Sequence, residues 1–273
     1  MTEERIQAQM SQLIKQVDKD EYPEIAQMLF FFQDEDGSFI IDEETEIVEN
    51  LFNCDKTKPL PPEVAKFMEE IYLDEIADNN FAAANDLGAL YYTGRIGVQD
   101  YTKAMHYYEI AAKGGNRQAQ ENLGYCYYYG RNCEKDYKKA FHYFALGAFD
   151  GHLRSLYKIG DMYLKGYYVE KNEREAKYIY HRCYEMMTDA ARPLLGADVA
   201  MRLGDFAFEG ICEPPDYGLA IHFYQEAEQL FYQRLMDGDF LIKHCYEKVI
   251  ARQNEAREKL KEELPDYSWT AHD

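Results

Sequence analysis

The chain is 273 residues long and carries 50 acidic against 30 basic side chains, a formal charge of −20. Residues 1–80 alone hold 21 acidic and 6 basic groups, a net of −15. A phosphate backbone is bound through a clustered cationic face that releases counterions, so this composition argues against nucleic acid as a partner. There is no run of eighteen apolar residues, and the start has no basic stretch leading into an apolar one, so the sequence predicts neither a membrane span nor a secretion signal. Six cysteines without a C-x-x-C pair read as reduced thiols in a cytoplasmic protein, with no metal or disulfide framework.

Residues 1–60 read as an acidic, irregular helical region. Ile6, Met10, Leu13, Ile14 and Val17 fall at helical spacing, and Tyr22-Pro23 starts a second helix with Ile25, Met28, Leu29 and Phe32 on its apolar face. After a break at Asp36-Gly37, Asp42 is placed to cap a short helix over 43–53. Asp34, Asp36 and Ser38 alternate like calcium ligands, but Phe39 stands where such a loop needs glycine and Thr45 where it needs a bidentate glutamate. Beyond Pro59-Leu60-Pro61-Pro62 a strongly patterned helix is predicted over 62–78. Its Ile71 sits thirty-six residues before Tyr107, so it is expected to be a half-repeat covering the open end of a stack.

From there the chain repeats itself in units over 83–118, 119–154, 155–197 and 198–236, inside a repeat array spanning 61–236. Each first helix keeps an apolar residue and a glycine: Leu87-Gly88, Leu123-Gly124, Ile159-Gly160 and Leu203-Gly204. Glycine inside a helix costs about 1 kcal/mol against alanine, so helices are expected to cross there with backbones too close for a side chain. One turn further come Tyr91, Tyr127 and Tyr163, with Ala207 the exception. Gly94, Gly130, Gly166 and Gly210 suit a left-handed helix end, and Asp100, Asp136, Asn172 and Asp216 suit the start of the next helix, Asn172 with Glu175 as a capping box. Second helices keep Ala104, Ala140, Ala176 and Ala220, followed by aromatics. A C-terminal capping helix is predicted within 239–264, its apolar spacing including Phe240, Leu241, Cys245, Val249 and Ile250, and a tail carries the single tryptophan, Trp269.

The pattern A-x-x-x-L-G-x-x-Y-x-x-G, a loop with aspartate, then K-A-x-x-Y-Y-x-x-A-A resembles the Sel1-like repeat, a relative of the tetratricopeptide repeat. In the first copy Ala84, Leu87, Gly88, Tyr91, Gly94, Gly97, Val98, Asp100, Lys103, Ala104, Tyr107, Tyr108, Ala111 and Ala112 carry it. The third copy lacks the second loop glycine, and eight extra residues around MTDAARPLLGAD separate the third and fourth. The resemblance implies an all-α, right-handed superhelical solenoid of helix-turn-helix repeats, with first helices lining a concave face. It also implies non-catalytic binding of other proteins.

The strongest enzyme-like feature is the set His106, His142 and His222, but stacking separates equivalent positions by about 8–10 Å, too far to share one metal ion. No catalytic residue, metal site or cofactor is therefore assigned. Positions on the first helices that vary between copies are the ones expected to serve a ligand. They are Tyr92, Tyr125, Tyr128 and Phe208 as aromatic anchors, with Asn122, Lys158, Asp161, Arg202 and Asp205 as polar contacts. The expected partner is a protein or peptide, a basic one being compatible with the charge. The alternative is an immunity or inhibitor protein that neutralises a toxin or enzyme through the acidic N-terminal surface.

Overall fold

A computed structural model describes residues 3–33, 44–54 and 58–264. Asp34, Asp36, Ser38, Phe39, Asp42 and Trp269 lie outside the described residues. The contacts gather the chain into two compact units, Met1–Asp136 and Tyr137–Asp273, so the second repeat gives its first helix to one unit and its second helix to the other.

The first unit comprises α1 (Glu3–Gln16), α2 (Pro23–Phe31), α3 (Glu44–Asn53), α4 (Pro62–Ala77), α5 (Phe81–Thr93), α6 (Tyr101–Lys113) and α7 (Arg117–Tyr129). Ile6, Met10 and Leu13 of α1 are buried as their spacing predicts. α4 buries Val64, Phe67, Met68, Ile71 and Tyr72, and packs on α5 and also on α1. It is therefore an inner layer, where the sequence suggested a terminal cover. On one side Arg5 and Gln9 each donate to Glu70 at 2.8 Å, and the Gln9 amide, with Arg5 behind it, holds the Glu70 carboxyl below its ordinary value. On the other side the Tyr91 hydroxyl donates to Glu69.

The second unit comprises α8 (Tyr137–Phe149), α9 (Leu153–Lys165), α10 (Glu173–Glu185), α11 (Ala197–Glu209), α12 (Tyr217–Met236) and α13 (Lys243–Glu263). The extra residues before the fourth repeat end in a π-helical turn, Arg192–Gly196, that runs straight into α11. Phe240–Ile242 form a 3-10 turn before α13. Phe240 and Leu241 are 74% and 88% exposed, against the expectation that they pack with Val249, which is fully buried.

Helix ends follow the predicted punctuation. Gly94, Gly130, Gly166 and Gly210 are left-handed, with φ of 76, 72, 70 and 66°. Asp100 accepts from the Thr102 and Lys103 N–H groups, Asn172 from Glu175, and Asp216 from Leu219. The capping box at Asn172 is only half formed, because the Asn172 N–H donates to the Tyr163 carbonyl at 2.9 Å. That bond recurs from Asp100 to Tyr91, Asp136 to Tyr127 and Asp216 to Ala207, and so closes the loop in every copy. The first helices start at Phe81 and Arg117, capped by Asn80 and Asn116, two residues before the expected unit boundaries.

The repeated helix glycine has a different cause from the one expected. A Cβ on Gly88, Gly160 or Gly204 would lie 2.7, 2.9 or 2.7 Å from a ring carbon of Tyr108, Tyr180 or Tyr224. The glycine seats an aromatic ring of the following helix, so it is the side chain, more than the opposing backbone, that forbids a Cβ.

Candidate protein-binding faces

On the first unit, Tyr92 and Tyr125 are half-buried. The Tyr92 ring lies 5.1 Å from Tyr101, and Tyr125 stacks on the exposed Tyr129 at 6.2 Å. The Arg131 guanidinium lies over both Tyr101 and Tyr129, at 5.2 and 5.9 Å. Tyr128 is buried, edge-on to Tyr129 at 5.0 Å, so its ring packs rather than standing free. Asn122 donates to Asn85 at 3.1 Å and accepts from Gln118 at 3.3 Å, which ties α7 to α5. Asp86, one position along, accepts from the Asn85 amide at 3.0 Å and has no ion pair among the described residues. Burial pushes its carboxyl above the ordinary value, an effect the Asn85 amide opposes.

The second unit treats the same stripe differently. Asp161 is 2% exposed and accepts from the Tyr180 hydroxyl at 2.8 Å, while Lys158 and Arg202 approach it at 3.3 Å each. Asp205 accepts from the Tyr224 hydroxyl at 2.8 Å, and Lys248 and Arg252 of α13 stand 3.8 and 3.7 Å away. Phe208 is buried beneath the Arg252 guanidinium at 4.7 Å. Of these five expected contact residues, Asp161, Lys158 and Arg202 thus engage one another, while Asp205 and Phe208 are engaged by Arg252 of α13. Burying one charge without its partner costs about 3–5 kcal/mol, so stacked copies that carry a buried acid must also carry its cation and its hydroxyl. Variation between copies here reflects matched pairs, and does not of itself mark free positions.

The sequence held that signal. Each acid precedes its tyrosine by nineteen residues, and the equivalent pairs in the first two copies are Ala89 with Tyr108 and Tyr125 with Phe144. Each acid therefore comes with a hydroxyl, although Tyr108 opposite Ala89 shows that the hydroxyl also occurs without the acid. His106, His142 and His222 are exposed, and no group of side chains able to hold a metal ion occurs among the described residues.

A second feature was not anticipated. Between α10, α11 and the start of α12 lies an open cavity of about 760 Å³, with Leu203, Phe206, Ala207 and Phe223 in its apolar wall and Arg174, Lys177 and His181 along α10. In the first two copies Tyr91 and Tyr127 occupy the position of Ala207, and both are buried. In the first copy Tyr91 bonds Glu69 of the preceding helix, in the third Tyr163 packs edge-on against Phe141 at 6.2 Å, and in the fourth Lys177, thirty-six residues after Phe141, lines the cavity with Ala207. Ala207 leaves the corresponding room in the fourth copy unfilled. The exception in the tyrosine column was visible in the sequence, but the cations opposite it became apparent only once α10 was placed.

No helix among the described residues is long and apolar enough to cross a membrane. A comparison with curated protein sequences returned no match. Among solved structures, the chain is similar to a protective antigen of uropathogenic Escherichia coli that displays an SLR fold, with 25% identity and a TM-score of 0.52 over 59% of this chain and 32% of that one. It is also similar to a Sel1 repeat protein of Oxalobacter formigenes, with 23% identity and a TM-score of 0.53 over 62% of each chain. The chain thus spans less than two thirds of either. An immunity protein of Pseudomonas aeruginosa aligns at 21% identity over 68% of this chain and 80% of that one, but its TM-score of 0.33 carries no structural argument. The Sel1 repeat profile matches residues 81–116, 117–152, 153–186 and 197–230, just over half of the sequence. Together with helices that pair and punctuate as that repeat requires, these matches show an all-α helical-repeat protein that belongs to the Sel1 repeat family, whose members generally serve as protein-interaction scaffolds.

Proposed function

We propose that this is a non-catalytic, cytoplasmic adaptor that holds a basic segment of a partner protein against the first-helix face of the unit Met1–Asp136. The observation that carries the reading is the contrast between the two units. Asp161 and Asp205 are answered by the chain's own lysines and arginines, whereas Asp86 has no ion pair among the described residues. Tyr92 and Tyr125 on the same unit stay half-exposed, and aromatic side chains are the usual anchors of an interface. An arginine or lysine entering there would supply the charge that Asp86 lacks, and its aliphatic stem could lie on a tyrosine ring.

The test is affinity capture from native cytosol, identification of the partner by mass spectrometry, and titration of that partner against Tyr125→Ala and Asp86→Asn. Each variant is expected to weaken binding about tenfold, the usual loss at an interface anchor. Undiminished affinity in both would sink the reading. If affinity instead falls steeply with salt while both variants bind normally, the contact belongs to the acidic region 1–80, as an inhibitor of a basic surface requires. Turnover of any substrate by the purified chain would overturn both.

A further inference from the structure

We propose that the cavity beside Ala207 is a second binding site, one that takes an aromatic side chain flanked by a carboxylate from an acidic segment of a partner protein. Three observations converge on that occupant. The room left is that of a missing tyrosine, since Tyr91 and Tyr127 fill the same place in the first two repeats, and its wall of Leu203, Phe206 and Phe223 is apolar. A pocket of this size, with one apolar wall and charged groups at its edge, is within the range that holds a large side chain with its neighbours.

The second observation is charge. Although the chain is strongly acidic overall, two cations, Arg174 and Lys177, lie on one stripe of α10 at the cavity's edge, and of the two acids that also line it Asp216 is engaged in capping α12. Arg174 has no ion pair among the described residues. Lys177 is paired with Glu213 at 3.0 Å, but the Glu213 side chain is 73% exposed while that of Lys177 is 17% exposed. An exposed acid of this kind contributes little to stability, so an incoming carboxylate can displace it.

The third observation is preorganisation. The opposite wall is the loop 211–216, which contains Pro214 and Pro215 and is closed by the Asp216-to-Ala207 backbone bond at 2.9 Å. Proline fixes φ, so little loop entropy is lost on binding. The occupant is the chemical opposite of the basic segment proposed for the first unit, and this site does not depend on that one.

The experiment uses the full chain and a labelled, N-acetylated pentapeptide alternating aspartate and phenylalanine, with fluorescence anisotropy as the readout. Saturable binding is expected, at least tenfold tighter than for the same peptide with asparagine in place of aspartate. Ala207→Tyr restores the residue the other repeats carry, so it should fold normally by circular dichroism and weaken binding at least tenfold. Lys177→Ala should also weaken it, and Glu213→Gln should tighten it about threefold by removing the competitor. Tyr125→Ala, on the other unit, should change nothing. The proposal is overturned if folded Ala207→Tyr binds as well as the parent chain, or if the asparagine peptide binds equally. It is also overturned if binding appears only after removal of residues 265–273, which would give the cavity to the chain's own tail.

Discussion

At the scale of single residues, the fourth repeat is held by a ring on a glycine and a hydroxyl on a carboxylate. The Tyr224 ring lies against Gly204 and its hydroxyl donates to Asp205, as Tyr180 does to Gly160 and Asp161. Alanine is the better helix former by about 1 kcal/mol, yet Gly204→Ala is expected to lower stability, because its Cβ would sit 2.7 Å from a ring that cannot swing away and overpacking costs about 1–3 kcal/mol. Urea unfolding of the single variant and of Gly204→Ala with Tyr224→Leu checks this: the second substitution should relieve much of the first. Tyr180→Phe tests the other half. It removes a hydrogen bond to a buried carboxylate and should cost about 1.5–3 kcal/mol in the same assay, whereas a loss below about 0.5 kcal/mol would show that the hydroxyl does not support Asp161.

At the scale of elements, the loops show what repetition imposes on unsuitable residues. Asn132, Tyr168 and Cys212 occupy one loop position in three successive copies and all have positive φ, at 55, 69 and 72°. Only asparagine among them tolerates that conformation well, so the shared loop geometry overrides residue preference in the other two. The edge-on packing of α10 on α12 carries a pH dependence through His181, whose ring lies 6.5 Å from that of Phe223. Burial, and then Lys177, pushes its pKa below the ordinary 6.5, while Glu185 and Glu213 pull the other way. The unfolded chain therefore takes up a proton near pH 6.5 that the folded chain refuses, and stability should fall as pH drops below about 6.5 until the folded histidine protonates too. His181→Gln should flatten the thermal midpoint between pH 7 and 5.5; an unchanged slope would place the titration elsewhere.

For the molecule as a whole, the question is how a non-repetitive start is joined to a repetitive remainder. The buried Arg95, in the loop after α5, donates to the Cys54 carbonyl at 2.9 Å and to that of Phe52, and its own carbonyl accepts from Leu60 at 2.7 Å. One arginine thus fastens the end of α3 and the start of the α4 segment to the first repeat. Arg95→Ala leaves the half-buried carbonyls of Phe52 and Cys54 without that donor. It is expected to cost about 2–4 kcal/mol and to open residues 44–60 to limited proteolysis before the repeats are cut. Cleavage beginning within the repeats instead would show that this attachment is not the weak point.

The repeats, their caps and the all-helical class were legible in the sequence because they depend on local chemistry that recurs at a fixed spacing: a glycine where the helix turns left-handed, an acid or amide where N–H groups are open, small residues where helices approach. The pairing of Asp161 with Tyr180 was only partly legible, because Asp205 repeats it with Tyr224 while the first copy keeps Tyr108 opposite Ala89. What the spacing could not convey was which variable side chains were already spent on one another. Asp161, Phe208 and Arg202 look like ligands when the helices are separate and become buried partners once α9, α11 and α13 lie side by side. The cavity at Ala207 is the converse case: an absence in the tyrosine column meets two cations on another helix only when tertiary packing brings them together. A local pattern specifies the element that contains it, whereas a surface is made of residues far apart in the chain, and their relation exists only in the fold.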